Sequence, residues 1–150
     1  MLVGLDSILN RITQNRAKGK QTFIFIDESY LLFQHEYSAN FLFTLWKRVR
    51  KYGAYATGIT QNVDDLLQSH TARTMLANSE FLIMLNQAST DRIELAKLLN
   101  ISDLQLSYIT NVDAGHGLIK VGSSLVPFAN KFPKNTKLYK LMTTKPGEGV

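Results

Sequence analysis

The sequence contains no cysteine. Disulfide frameworks and thiolate metal sites are therefore excluded, and a reducing compartment suits the chain. No apolar run approaches the roughly 20 residues of a membrane-spanning helix. The opening segment MLVGLDSILNRITQNRAKGK lacks the basic-then-apolar order of a secretory signal, so a cytosolic location is expected. Internal repeats and low-complexity segments are absent. His35, His70 and His116 have no metal-ligand spacing, and no G-x-S-x-G elbow supports a Ser-His-Asp nucleophile. The largest absence is a phosphate-binding loop. The motif G-x-x-x-x-G-K-[ST] needs a glycine five places before Gly-Lys. Only Gly19-Lys20 offers that dipeptide, with Gln14 and Gln21 at the other two positions, and a strand pattern follows the segment instead of preceding it.

What is present is enough for a core. Of 150 residues, 45% are hydrophobic, which suits one domain as the default. The net charge of +5 favours anionic partners such as nucleotides, nucleic acid or anionic lipid. Leu2, Leu5, Leu9 and Ile12 recur at helical spacing, so residues 2–16 are expected as an amphipathic helix. TFIFID (22–27) has the continuous apolar pattern of a parallel strand buried on both faces. A helix over 38–53 follows, with Phe41, Leu42, Leu45, Trp46 and Val49 on one side and Gly53 ending it. Further along come a strand at 54–61, a helix opening with Asn62 as N-cap and continuing over 71–77, a strand at 80–86 and a helix at 90–100. Ser102-x-x-Gln105 forms a capping box, a hairpin turns near Gly122-Ser123, and the tail from Leu138 loses periodicity, with 143–150 loose at its end. Strands alternating with helices imply an α/β fold with a mostly parallel sheet, flanking helices and a C-terminal β-hairpin.

In open α/β sheets, ligands bind beyond the carboxyl ends of the strands. Asp27-Glu28, Gln61 and Asn86-Gln87 all fall there. An apolar strand ending in Asp-Glu has the Walker B pattern. In that pattern the Asp holds magnesium, usually through water, and the Glu polarises an attacking water. The alternative is that Asp27 or Glu28 caps the next helix. Gln61 could contact a γ-phosphate or orient the hydrolytic water. Its alternative is a turn or capping residue beside Asn62. The basic run Lys47, Arg48, Arg50, Lys51 is either a solvated helix face or a source of one arginine, Arg50, that reaches a phosphate on a neighbouring subunit. Tyr30, Phe33, Phe41, Phe43 and Trp46 are expected in the core rather than as a base-stacking platform.

The segments FIFIDESYLLF, WKRVRKYGAYATGITQNVDDLL, ANSEFLIMLNQASTDRIELAKLL and GHGLIKVG together resemble the C-terminal part of the large cytoplasmic ATPase of conjugative type IV secretion systems. The likeness is to the versions carried by integrative conjugative elements of Gram-positive bacteria, and it runs across nearly the whole chain. That family belongs to the FtsK-HerA group of RecA-like hexameric motors. The resemblance implies a partial RecA-like P-loop NTPase fold, from the Walker B strand onward. It implies ATP and Mg2+ as cofactors, Asp27 as the magnesium carboxylate, Glu28 as the catalytic base and Gln61 as a γ-phosphate sensor. Arg50, in RKYG, matches an arginine finger acting in trans. The implied partners are further copies of the chain in a hexamer, other type IV secretion components and DNA. Peripheral contact with the inner membrane complex is implied as well.

The Walker A half of that family is absent, so the chain looks like a truncated product, a fragment or a partial gene, inactive as an ATPase by itself. Two other functions stay open: a non-catalytic assembly or nucleic-acid-binding module, and a DNA translocase of the same motor group. By the same resemblance, a strand is missing between those at 54–60 and 80–86. Either these two close up on one another, or a second chain fills the slot; self-association is the favoured remedy.

Overall fold

The computed structural model describes residues 2–61 and 63–147. The chain divides into two compact units, with the boundary between Ser79 and Glu80. The expected N-cap at Asn62 lies outside the described residues.

The first unit opens with α1 (Leu2–Ala17). Gly19, at φ 67°, then turns the chain into β1 (Thr22–Ile26). A 3-10 turn over Ser29–Gln34 follows, and α2 (Glu36–Arg48) comes after it. The helix tightens into a second 3-10 turn at Val49–Tyr52 and stops at Gly53, whose φ of 63° is the left-handed conformation that glycine adopts freely. β2 (Ala54–Gly58) pairs in parallel with β1, Thr22 opposite Ala54 and Ile26 opposite Gly58. Two short helices close the unit, α3 (Val63–Gln68) and α4 (His70–Ala77). The Ser69 hydroxyl accepts from the Ala72 N–H and so caps α4.

Ile12, Leu42, Leu45, Val49, Ala54 and Met75 form the buried core of this unit, with Ile24, Ile26, Trp46 and Ala56 packed around it. One face of the β1–β2 pair is thus covered by helices. The other is open. Phe23 and Phe25 are 61% and 70% exposed, and Tyr55 is 52% exposed. Phe23 stacks on Tyr55 with ring centroids 5.0 Å apart. The expectation of a strand buried on both faces is therefore corrected. β1 alternates half-buried and exposed residues, because helices cover only the Ile24–Ile26 side.

In the second unit, β3 (Phe81–Met84) leads to α5 (Ser89–Leu99), α6 (Asp103–Leu106), β4 (His116–Val121), β5 (Ser124–Ala129) and α7 (Lys137–Met142). The capping box is present: the Gln105 N–H donates to the Ser102 hydroxyl, and the Ser102 N–H donates to Gln105 Oε1. Gly122, at φ 56°, sits in the expected hairpin turn. Pro127 lies on β5, the edge strand, where a missing N–H costs no ladder bond. Gly117 lets β4 approach β3 closely, since a Cβ there would collide with the Met84 carbonyl oxygen.

The α/β class, the parallel pair with its helices and the C-terminal hairpin are as expected. The partner of β3 differs. It runs antiparallel to β4 in a three-stranded sheet, β3-β4-β5. The tail also differs from expectation, since Thr136 caps a short helix at 137–142 through the Tyr139 N–H. No helix among the described residues is long and apolar enough to cross a membrane.

Candidate nucleotide site

β1 ends at Ile26, and Asp27 and Glu28 form the turn that leaves it. The ladder holds to the end, with the Ile59 N–H donating to the Ile26 carbonyl at 2.8 Å and the Ser29 N–H donating to the Ile59 carbonyl at 2.9 Å. Residues 26–29 are thus clamped to the segment that carries Gln61.

Among the described residues three non-glycine residues have positive φ, and two are asparagines, which tolerate that region. The third is Glu28, at φ 48° and ψ 44°. A left-handed glutamate costs on the order of 1–2 kcal/mol. This conformation interrupts the strand alternation, which would otherwise send neighbouring side chains to opposite faces. The Asp27 Oδ1 accepts the Glu28 N–H at 3.0 Å, which fixes the turn. Gln61 Nε2 donates to Glu28 Oε1 at 3.2 Å. The structure therefore brings Glu28 and Gln61 together across the ends of two parallel strands. Neither acidic residue caps a helix: Glu28 precedes the 3-10 turn at Ser29 without a side-chain cap bond.

Two residues that sequence reasoning passed over hold this corner. Ser29 is buried, and the Gly58 backbone lies beneath it. A Cβ on Gly58 would meet the Ser29 hydroxyl at 3.2 Å and the Trp46 ring at 3.4 Å. The signal available in the sequence was a glycine late in a strand, often a mark of close backbone approach.

Asp27 is exposed, and one of its oxygens is occupied by the Glu28 N–H. The other has no partner among the described residues. One free carboxylate oxygen suits Mg2+, which keeps several waters and takes one or two carboxylates plus phosphate oxygens. No group of three or more potential metal ligands exists among the described residues, so Asp27 alone would not hold a metal without phosphates.

Arg50 lies elsewhere. It is exposed in the turn before β2, at the amino end of the pair, where the Thr22 N–H donates to the Gly53 carbonyl. The carboxylates are at the other end, one five-residue strand away, or about 17 Å. Arg50 cannot reach the Glu28 site of its own unit. Lys47 lies 3.9 Å over the Phe43 ring, so its charge is used within α2. Asn86 and Gln87 serve their own unit. The Val112 N–H donates to Asn86 Oδ1, and Gln87 Nε2 donates to the Leu85 carbonyl.

A parallel pair with flanking helices and strand-end carboxylates defines the α/β fold of the P-loop ATPase class. The TraG P-loop domain family model matches residues 2–120, and the chain belongs to that family. Among solved structures it is similar to VirB4 of Thermoanaerobacter pseudethanolicus, with a TM-score of 0.70 and 26% identity. The match covers 75% of this chain and 32% of that one, so the chain spans about a third of that protein's length. No curated protein sequence matches it. The kinship with type IV secretion ATPases expected from the sequence is met by these two matches.

Proposed function

We propose that the chain is the Walker B and sensor portion of a motor ATPase of conjugative type IV secretion. In this reading the chain is the C-terminal part of a RecA-like motor domain. The intact motor couples ATP hydrolysis to transfer of DNA or protein and to channel assembly. It works as a homo-oligomer, a hexamer by family likeness, in the cytoplasm against the inner membrane complex. The observation that carries the reading is the left-handed Glu28 with its carboxylate bonded to Gln61 at the strand ends. Strain of that kind clusters at functional sites.

When ATP and Mg2+ are bound they supply the electrophilic phosphorus and its charge neutralisation. Asp27 would hold the ion through water. Glu28 accepts a proton from the attacking water, and Gln61 orients the Glu28 carboxylate and senses the γ-phosphate. Arg50, at the opposite end, can serve only a neighbouring subunit's nucleotide.

The test uses a longer chain that supplies a phosphate loop. Glu28→Gln there slows hydrolysis by at least about 10²-fold and leaves nucleotide binding intact. Hydrolysis at the parental rate overturns the assignment. The chain of 150 residues by itself is expected to hydrolyse no ATP. Magnesium-dependent turnover abolished by Glu28→Gln would contradict that. For Arg50, mixing Arg50→Ala with Glu28→Gln subunits separates action in trans from action in cis. The absent phosphate loop favours a second reading, a non-catalytic assembly module. It predicts that Glu28→Gln changes nothing in any assembly that hydrolyses ATP.

A further inference from the structure

The last helix carries an apolar stripe that its own unit leaves bare. In α7, Leu138, Leu141 and Met142 stand at the i, i+3, i+4 spacing that puts them on one side. They are 56%, 62% and 72% exposed. The helix is tied down elsewhere. Tyr139 stacks on Phe132 with ring centroids 6.4 Å apart. The Thr136 hydroxyl accepts from the Tyr139 N–H and donates to the Pro133 carbonyl at 2.8 Å. A helix of six residues is too short to hold in water by itself. The contacts through Phe132, Pro133, Thr136 and Tyr139 hold it, and none of them covers the stripe.

Cations surround the stripe. Lys131, Lys134, Lys137, Lys140 and Lys145 lie in the same stretch, and all are exposed. The first acidic residue after Asp113 is Glu148. Phe132, 49% exposed, adds a fourth apolar side chain among the lysines. The helix dipole accounts for Lys140, in the last turn of α7. It disfavours Lys137, which opens the helix, and it does not reach Lys131, Lys134 or Lys145. The stretch lies beyond residues 2–120, the part of the chain matched to the family.

We propose that residues 131–145 form a docking surface for an anionic lipid bilayer. Phe132, Leu138, Leu141 and Met142 enter the acyl boundary, and the lysines meet the headgroups. Apolar side chains interleaved with lysines are the pattern of interfacial segments. A polybasic stretch is attracted to anionic headgroups within a Debye length of the surface. Two other occupants fit less well. A second copy of α7 laid on the stripe brings lysine against lysine. Nucleic acid would satisfy the lysines, but the aliphatic Leu138, Leu141 and Met142 offer its bases no stacking platform. The contact is with lipid itself and not with the proteins of a secretion complex, and it does not rest on the ATPase reading.

The experiment is co-sedimentation of the purified chain with sucrose-loaded vesicles at several salt concentrations. The vesicles are pure phosphatidylcholine, or phosphatidylcholine mixed with phosphatidylglycerol. The parent partitions onto the mixed vesicles and far less onto the neutral ones. Leu138→Ser/Leu141→Ser/Met142→Ser lowers the partition coefficient by about tenfold or more, through the loss of inserted apolar area. Lys137→Gln/Lys140→Gln/Lys145→Gln also lowers it by about tenfold or more and flattens its salt dependence. The charge-matched Lys18→Gln/Lys20→Gln/Lys51→Gln, in the first unit, lowers it clearly less. Equal weakening by the two lysine variants overturns the proposal, because net charge alone would then act. Retention unchanged by the Ser variant overturns it as well, since nothing then enters the bilayer. So does a parent that stays off the mixed vesicles, whether or not the stretch binds a labelled oligonucleotide or self-associates in the ultracentrifuge. All six substituted tail side chains are exposed, and circular dichroism checks that the variants fold. If the triple Ser variant does not, Leu141→Ser alone gives the same comparison with a smaller shift.

Discussion

The two units build their sheets in opposite ways. In the first, two parallel strands are joined through α2, and the pair rests on a helical core on one side only. In the second, β4 and β5 form a local hairpin and β3 adds to its edge antiparallel. Antiparallel sheets are commonly solvated on one face, whereas parallel sheets are normally covered on both. The open Phe81, Ile83 and Val126 side chains of the second unit are thus less unusual than the open Phe23, Phe25 and Tyr55 of the first. A two-stranded sheet is also marginal unless something packs against it. The parallel pair therefore depends on α1, α2 and α4, and its bare aromatic face is that of a sheet with its second cover missing.

The comparison breaks most visibly in the cores. Leu42→Ala and Leu118→Ala, at two fully buried sites, each cost about 2–5 kcal/mol. Amide exchange then rises mainly in the unit that carries the substitution. Equal loss of protection in both units would merge them into one cooperative body.

A smaller effect separates the left-handed residues. Glu28→Gly is more stable than Glu28→Ala by about 1 kcal/mol, because both variants lose the carboxylate and only alanine keeps the strain. Asn100, also left-handed, gains at most a few tenths of a kcal/mol on change to Gly, since asparagine tolerates that region. Urea midpoints decide this, and equal gains at the two positions would remove the case for strain at Glu28.

The smallest effect is on the open faces. Phe25→Thr and Ile83→Thr each change stability by less than about 0.5 kcal/mol, as exposed sites usually do, while both reduce binding of an apolar dye. Ile24→Thr, on the covered side of β1, costs clearly more. If Phe25→Thr proved as costly as Ile24→Thr, the Phe23–Phe25 face would have to be covered in solution.

Much of this was legible in the sequence. The 3.6-residue recurrence in α1 and the Ser102–Gln105 spacing are local signals, and both elements formed. Strand-end logic placed Glu28 beside Gln61 because parallel strands joined by a crossover carry their carboxyl ends together. The same logic puts Arg50 at the far end, since it precedes its strand. The remainder is set by tertiary contacts. An apolar run such as FLIM signals a strand but not which neighbour it takes, nor that Phe81 and Ile83 stay exposed. The run TFIFI suggested cover on both faces, and apolar residues alone do not reveal that one cover is absent. Glu28's backbone conformation comes from the clamp between Ser29 and Ile59, which no local pattern announces. The helix at 137–142 is too short to display a period.

The positions of the charges have a consequence for how the first unit meets its surroundings. Arg16, Lys18, Lys20, Arg50 and Lys51 stand at one end of the parallel pair. Asp27 and Glu28 stand at the other, with Asp64 and Asp65 on α3, which packs against the turn that follows Glu28. The unit is therefore an electric dipole laid along its strands. Through the diffuse ionic layer, with a screening length of about 8 Å at physiological salt, it turns its cationic end toward any negative surface and its carboxylates toward any positive one. With a net charge of +5, the chain is retained by a cation-exchange matrix near neutral pH, the cationic end of this unit turned toward the matrix. A free nucleotide meets an unfavourable field at the carboxylate end until a divalent cation accompanies it.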